Sequence, residues 1–347
     1  MKFFQKILHH RFVIKLSNWE YWPFGIIQIP LFGYWMWYAV KERSLIYFSA
    51  SNPSILTGGM MGESKYEVLS LVPSELKPIT CLSKLPSTRD EVLELMRVNN
   101  LSFPVIFKPD LGERGWMVKK INDVQDIDHY LKEIKIDFIV QELVDLPFEF
   151  GVFYVRFPSE ANGFVNSITM KEFLYIEGDG DKTMRQLILD KDRAKLQWEI
   201  LSTVYESKLD VVLEKGKRME LVSIGNHCLG TKFLDGNYLI TEKLSASFDH
   251  ISKQVEGFYF GRYDLRCASL EDLENGKIKI MELNGCGAEP AHIYHPGASL
   301  RQAISVLITH WQNMYRVSTE NHARGVPYLP LKEGRAIYKK VKALTST

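Results

Sequence analysis

No Cys-x-x-Cys pair occurs among the four cysteines, Cys81, Cys228, Cys267 and Cys286. Their wide separation argues against structural zinc and favours unpaired thiols in a reducing, cytoplasmic compartment. Neither sign of charge is in excess. With 43 Lys and Arg against 42 Asp and Glu, the formal charge is +1, so no global field argues for nucleic acid as a partner. Internal repeats and low-complexity tracts are absent. The N-terminal stretch lacks the uninterrupted apolar core and small-residue cleavage site of a signal peptide. A P-loop is missing too. In Gly58-Gly59-Met60-Met61-Gly62-Glu63-Ser64-Lys65, Glu and Ser separate the last glycine from the lysine. The stretch reads instead as a loop capping a helix over 64–71, which Pro73 and Pro78 end.

What is present fits a globular chain of two or three modules, since 347 residues can bury a sizeable core. Residues 1–16 alternate Lys2, Lys6, Arg11 and Lys15 with Phe3, Phe4, Ile7, Leu8 and Phe12, as an amphipathic helix does. Residues 19–40 crowd Trp19, Tyr21, Trp22, Phe24, Tyr34, Trp35, Trp37 and Tyr38 into a stretch uncharged from Pro23 to Val40. Its length approaches a membrane span, but Pro23, Pro30 and Gly33 interrupt it, and aromatic rings favour the interface. The expectation is that 1–43 associates with a membrane surface; the competing reading is an apolar element packed on the catalytic core. Residues 44–100 read as a small α/β module with a helix over 89–98 capped by Ser87 or Thr88. The basic tail, 318–347, reads as a solvated helix or membrane-facing patch.

The chemistry concentrates near the C-terminal end of the core. Residues 257–268 and 277–284 read as two strands of a hairpin joined by a polar connection ending in Asn-Gly. With the turn centred near Leu273, Asp264 falls opposite Glu282 and Arg262 opposite Asn284. Alternation then puts these four on one face, and Tyr263, Leu265, Met281 and Leu283 on the other. Two carboxylates and a carboxamide form an all-oxygen set suited to a hard cation such as Mg²⁺. Arg262 beside them suits a phosphate or a developing oxyanion. Upstream, residues 103–109 form a short strand carrying Lys108. A loop with Gly112 and Gly115 and a second strand, 117–121, follow. Such a loop offers backbone N–H groups to a triphosphate, and Lys108 adds a point charge. After the hairpin, the Gly/Pro-broken loop 285–297 carries Glu289, His292 and His295, candidates for touching a substrate.

These motifs, in this order, resemble the ATP-grasp superfamily over about residues 100–317, with the domain set at 101–317. Passages such as Gly178-Asp179-Gly180 before Thr183, and 221–231, look like cyanophycin synthetase, and the general plan is similar to D-alanine–D-alanine ligases. The resemblance implies an α+β fold of two subdomains clamping ATP. It implies Asp264, Glu282 and Asn284 as ligands of Mg²⁺ or Mn²⁺, and Arg262 and Lys171 as catalytic groups. ATP is expected at Lys108, Gly112, Gly115, Lys171 and Asn226, with Gln141, Glu142, Val144 and Glu149 around the adenine and ribose. The implied reaction joins a carboxylate to an amine through an acyl phosphate. The loop Gly-Cys-Gly-Ala-Glu-Pro after Asn284 departs from the dipeptide ligases and points away from cell-wall dipeptide synthesis. With 1–43 at the inner face of a membrane, one substrate is expected to be lipid-linked. The rival reading is a non-catalytic ATP-binding scaffold at the membrane.

Overall fold

The computed structural model describes residues 11–112, 115–222, 225 and 227–345. The fold is α+β, built on two large antiparallel sheets, with a two-stranded one, Tyr175–Glu177 paired with Arg218–Glu220, beside them in the chain. Along the chain come α1 (Arg11–Ser17), α2 (Phe24–Lys41), α3 (Lys65–Ser70), β1 (Thr80–Ser83), α4 (Arg89–Val98), β2 (Val105–Pro109), β3 (Lys119–Ile121), α5 (Val124–Glu133) and β4 (Phe138–Glu142). Then follow β5 (Phe148–Val155), β6 (Phe164–Glu172), β7 (Tyr175–Glu177), α6 (Met184–Asp190), α7 (Asp192–Leu196), α8 (Trp198–Val204) and β8 (Arg218–Glu220). The last group is β9 (Lys232–Asp235), α9 (Glu242–Lys253), β10 (Phe260–Cys267), α10 (Leu270–Glu274), β11 (Lys279–Asn284), α11 (Leu300–Ala323) and α12 (Leu331–Thr345).

The first sheet has the order β1-β4-β2-β3. Its apolar face, with Val105, Phe107, Phe138 and Val140, packs on Val92 and Met96 of α4 and Ile127 and Tyr130 of α5. Both helices start on side-chain caps that satisfy their first N–H groups: Thr88 in a capping box with Glu91, and Asp123 accepting from Gln125 and Asp126. β1 belongs to 44–100, yet it pairs with β4, so that stretch contributes an edge to this sheet.

The second sheet has the order β11-β10-β5-β6-β9. Alternation along β5 decides its two faces. Phe150, Val152 and Tyr154 join Tyr263, Leu265 and Ile168 against Leu244, Phe248 and Ile251 of α9. Glu149, Gly151 and Phe153 turn the other way. At the Phe153 end this second face is closed by Phe260, Tyr47, Phe48 and the Met314 and Val317 side chains of α11. The Glu149 end carries charge instead. The connection between β10 and β11 is not a bare turn: it contains α10, capped by Ser269. Between β6 and β9 along the chain, a smaller cluster gathers Leu174, Ile176, Met184, Ile188 and Leu201 around β7, β8 and α6–α8.

The aromatic N-terminal stretch is helical. α2 continues through Pro30, with Ile27, Leu31 and Ala39 buried. Ile27 and Leu31 pack on Ile293, Ala303 and Leu307. The packed-element reading therefore holds for this inner stripe. The outer stripe stays open: Ile29 is 69% exposed, Trp37 68% and Val40 68%. Among the described residues no helix is long and apolar enough to cross a membrane. Residues 1–10 of the expected amphipathic helix lie outside the described residues.

Candidate functional site

β10 and β11 pair with Arg262 opposite Asn284 and Asp264 opposite Glu282. The register then shifts, Leu265 meeting Ile280, so Met281 is the extra residue of a bulge. Its carbonyl accepts from Lys108 Nζ at 3.0 Å and Gln141 Nε2 at 3.2 Å. The bulge is thus the seam between the sheets: β2 and β4 reach across it to β11.

Asp264 is the hub. Its Oδ2 accepts from Arg262 Nη2 and Asn284 Nδ2, each at 3.0 Å, and Oδ1 lies 3.1 Å from Lys171 Nζ. Gly151, on the strand between β10 and β6, makes the crossing possible. A Cβ there would stand 3.1 Å from Arg262 Cδ and 3.3 Å from Asp264 Oδ1, so a side chain would press on both by a few tenths of an ångström. Lys171 also pairs with Glu149 at 3.0 Å, and Arg266 holds the other Glu149 oxygen at 2.9 Å and the Val144 carbonyl at 2.9 Å. Lys65 comes from the start of α3. Asp110 fixes that start by accepting from Ser64 Oγ and Tyr66 N, and Lys65 Nζ stands 3.2 Å from Glu282 Oε1 while donating to the Gly112 carbonyl.

Five cations, Lys65, Lys108, Lys171, Arg262 and Arg266, and the carboxylates of Asp264, Glu282 and Glu149 therefore share one seam. Burial pushes the Asp264 pKa up, but the charges of Arg262 and Lys171 outweigh it and hold it at about 2. Burial likewise opposes the charge on Glu282, and Lys65 and Lys108 overcome it, leaving a lowered pKa. For Lys171 burial works downward, yet Asp264 and Glu149 raise its pKa. For Lys108 burial wins, and its pKa falls despite Glu282. Among the described residues the buried Arg262 Nε has no hydrogen-bond partner. An unpaired buried donor is costly, and an anionic oxygen would satisfy it.

Among the described residues no three His, Cys, Asp or Glu side chains are grouped to hold a metal ion. A cation here would draw on two carboxylates and the Asn284 amide, with phosphate and water oxygens completing the shell, as Mg²⁺ sites commonly do.

Other expected site residues divide. Gly112 and Gly115 both have positive φ, +135° and +72°, so the loop between β2 and β3 uses conformations that side chains resist. Its Glu113 and Arg114, and Asn226, lie outside the described residues. Gly225 does not: a Cβ on it would fall 1.9 Å from Glu149 Oε1, so that backbone passes directly over the Lys171 pair. Gln141 is buried at the seam, whereas the Glu142 carboxylate accepts from Ile79 N on the β1 side. Glu289 reaches the cluster, its carbonyl accepting from Arg262 Nη1 at 3.1 Å. His292 and His295 do not. His292 is buried and lines a cavity of about 220 Å³ with Asn166, Asn237, Ser305 and Thr309, while His295 Nδ1 accepts from Asp235 N.

Lys65 and Arg266 are members that the sequence reading missed. Arg266 could have been found, because 262, 264 and 266 share one face by simple alternation. Nothing local marks Lys65: it is one residue past a cap, and only the fold of 58–65 brings it to Glu282. That approach needs bare backbone, with Cys286 N and Gly287 N donating to the carbonyls of Gly58 and Gly59.

No family model and no curated protein matches the chain. Among solved structures it aligns with the VanG D-Ala:D-Ser ligase of Enterococcus faecalis at 15% identity and a TM-score of 0.41, over 74% of this chain and 62% of that one. A D-alanine–D-alanine ligase of Bacillus anthracis aligns at 12% and 0.40, over 82% and 70%. A bifunctional glutathione synthetase of Pasteurella multocida aligns at 14% and 0.38, over 74% and 38%. The chain spans less than two thirds of the first and the last of these.

Proposed function

We propose that the chain is an ATP-grasp carboxylate–amine ligase, forming an amide through an acyl phosphate. The observation that carries this reading is the seam itself: Lys65, Lys108, Lys171 and Arg262 converge on Asp264, Glu282 and Asn284 where two antiparallel sheets meet. A dense set of buried cations around two carboxylates is costly without a polyanion to bind, and a nucleoside triphosphate is such a polyanion. Lys108 and Lys171 hold its phosphates, and the Gly112–Gly115 loop offers N–H groups beside them. Gln141, Val144 and Glu149 are the residues this reading assigns to the base and sugar. When bound, a divalent cation at Asp264, Glu282 and Asn284 neutralises charge on the phosphate oxygens.

In the reaction so proposed, a substrate carboxylate oxygen attacks the γ-phosphorus and ADP leaves. An amine then attacks the acyl carbon, loses a proton, and inorganic phosphate departs. Arg262, its Nε without a hydrogen-bond partner among the described residues, steadies the transferred phosphoryl group and the oxyanion. Positioning supplies much of the remaining rate, so no side-chain nucleophile is needed.

Nucleotide binding tests this reading directly. Lys108→Met removes a charge partner of the phosphates while nearly keeping its length, and should weaken MgATP by about tenfold or more in titration calorimetry. Unchanged affinity would sink the phosphate assignment of β2 and its loop.

We further propose that the exposed stripe of α1 and α2 rests on a membrane and that one substrate is lipid-linked. Phe12, Leu16, Ile29, Phe32, Trp37 and Val40 carry it, with Lys15 and Lys41 near its ends. At about 25 cal/mol per Å², these side chains entering an interface contribute several kcal/mol. Full-length protein should sediment with anionic liposomes and be released in part by salt. The double substitution of Ile29→Ser and Trp37→Ser spares the inner stripe and should leave the protein in the supernatant. Wild-type protein that ignores liposomes would remove both the membrane and the lipid-linked substrate.

A further inference from the structure

The N-terminal segment does more than cover apolar surface. Trp19 Nε1 donates to the Ala298 carbonyl, and its ring lies 5.6 Å from that of Tyr294. Glu20 pairs with Arg193 and with His227, the latter at 3.1 Å. Nine residues past Trp19 by sequence lies Gln28, on the inner side of α2, between the buried Ile27 and Leu31. Its amide donates to the Glu289 carboxylate, which also accepts from Tyr294 Oη at 2.9 Å. The backbone carbonyl of the same Glu289 accepts from Arg262 Nη1. A chain of direct contacts thus runs from α2 to the arginine at the centre of the site.

We infer that Gln28 is a positioning residue of the active site, acting through Glu289 to hold Arg262 in the orientation that grips the transferred phosphoryl group. The inference rests on the ATP-dependent reading and deepens it. Among the described residues, Asp264 at Nη2, the Glu289 carbonyl at Nη1 and Gly151 under its stem set the plane of Arg262. Asp264 and Gly151 sit on the rigid five-stranded sheet. Glu289 sits in the 285–297 loop, between backbone bonds from Cys286 and Gly287 to the Gly58 and Gly59 carbonyls and a short helical turn over Ala291–Tyr294. Between those two anchors Gln28 and Tyr294 hold its carboxylate at opposite oxygens. A misplaced donor loses most of its value to a transition state while ground-state binding of the nucleotide hardly changes. The apolar helix and the reacting centre are therefore one mechanical unit.

The test uses full-length protein, MgADP, and MgADP with fluoroaluminate, a mimic of the phosphoryl group in transfer, read by titration calorimetry. Wild type should bind MgADP, and fluoroaluminate should tighten it by about tenfold or more, as transition-state mimics do. Gln28→Met keeps the length and removes the donor. It should hold MgADP within about twofold, lose the fluoroaluminate gain, and keep the melting temperature. Gln28→Lys returns a donor to Glu289 and should recover that gain. A Gln28→Met protein that keeps the full gain overturns the inference. So does one that loses both affinities alike, which is general loosening, or a Gln28→Lys protein with no recovery. Wild-type protein that binds MgADP yet gains nothing from fluoroaluminate overturns the inference and leaves nucleotide binding intact. Wild-type protein that does not bind MgADP overturns the ATP-dependent reading itself.

Discussion

Glu282→Gln should cut ADP release by about 10²- to 10³-fold while the protein stays folded, a loss of a few kcal/mol of transition-state stabilisation. Glu282 faces Asp264 across the β10–β11 pair, with Lys65 Nζ at 3.2 Å. Glutamine keeps the volume, so the apolar packing behind β11 is untouched. What changes is charge. Lys65 and Lys108 hold Glu282 as a carboxylate against the pull of burial, and the neutral amide leaves them with less to balance. Lys65 retains the Gly112 carbonyl and Lys108 the Met281 carbonyl, which is why the fold should survive. The measurement is coupled ADP release in a mixture that turns over the wild type, with circular dichroism as the check on folding. Near-normal release from a folded Glu282→Gln protein would take Glu282 out of the site.

The second large effect concerns stability in acid. His310 is buried on α11 between the rings of Phe153 and Phe260, with centroids 5.0 Å and 4.9 Å away. Burial alone drives its pKa from 6.5 to about 3. Between those values the unfolded chain takes up a proton that the folded chain refuses, so folding stability must fall as pH drops from about 6.5 toward 3. A full proton of difference is worth about 1.4 kcal/mol per pH unit, hence roughly 3–5 kcal/mol across the window. His310→Phe should flatten that part of the curve. It should cost little at neutral pH, because the ring is nearly matched in volume and the buried Nδ1, without a hydrogen-bond partner among the described residues, is gone. Chemical denaturation at pH 7 and pH 5 decides it. Equal loss in both proteins would mean that other groups set the acid limit. Carboxylates contribute in both proteins, so the difference between the two curves isolates His310.

How far a residue's place could be read depended on the range of the forces that set it. The faces of β10 and β11 follow from alternation, and the antiparallel register then pairs Arg262 with Asn284 and Asp264 with Glu282. α4, α5 and α6 begin on capping side chains within a few residues of their own backbones. Such features are local, so sequence alone determined them. The aromatic stretch 19–40 was ambiguous for the opposite reason: composition does not say which stripe of a helix meets a partner. Folding resolved half of that ambiguity by burying Ile27 and Leu31 on α11. It also turned Gln28 toward Glu289.

The chain by itself therefore determined the strand pair, its charged face, the glycine loop and the caps, since each depends on neighbours a few residues apart or on the two-residue repeat of a strand. Only the tertiary structure decided that Lys65 faces Glu282, that the Met281 bulge joins Lys108 and Gln141 to β11, that Arg266 closes on Glu149, and that Gln28 reaches the loop holding Arg262. Those contacts join residues distant in sequence. Their partners are set by how two sheets and a helix pack, and packing is a property of the whole core that no short stretch encodes.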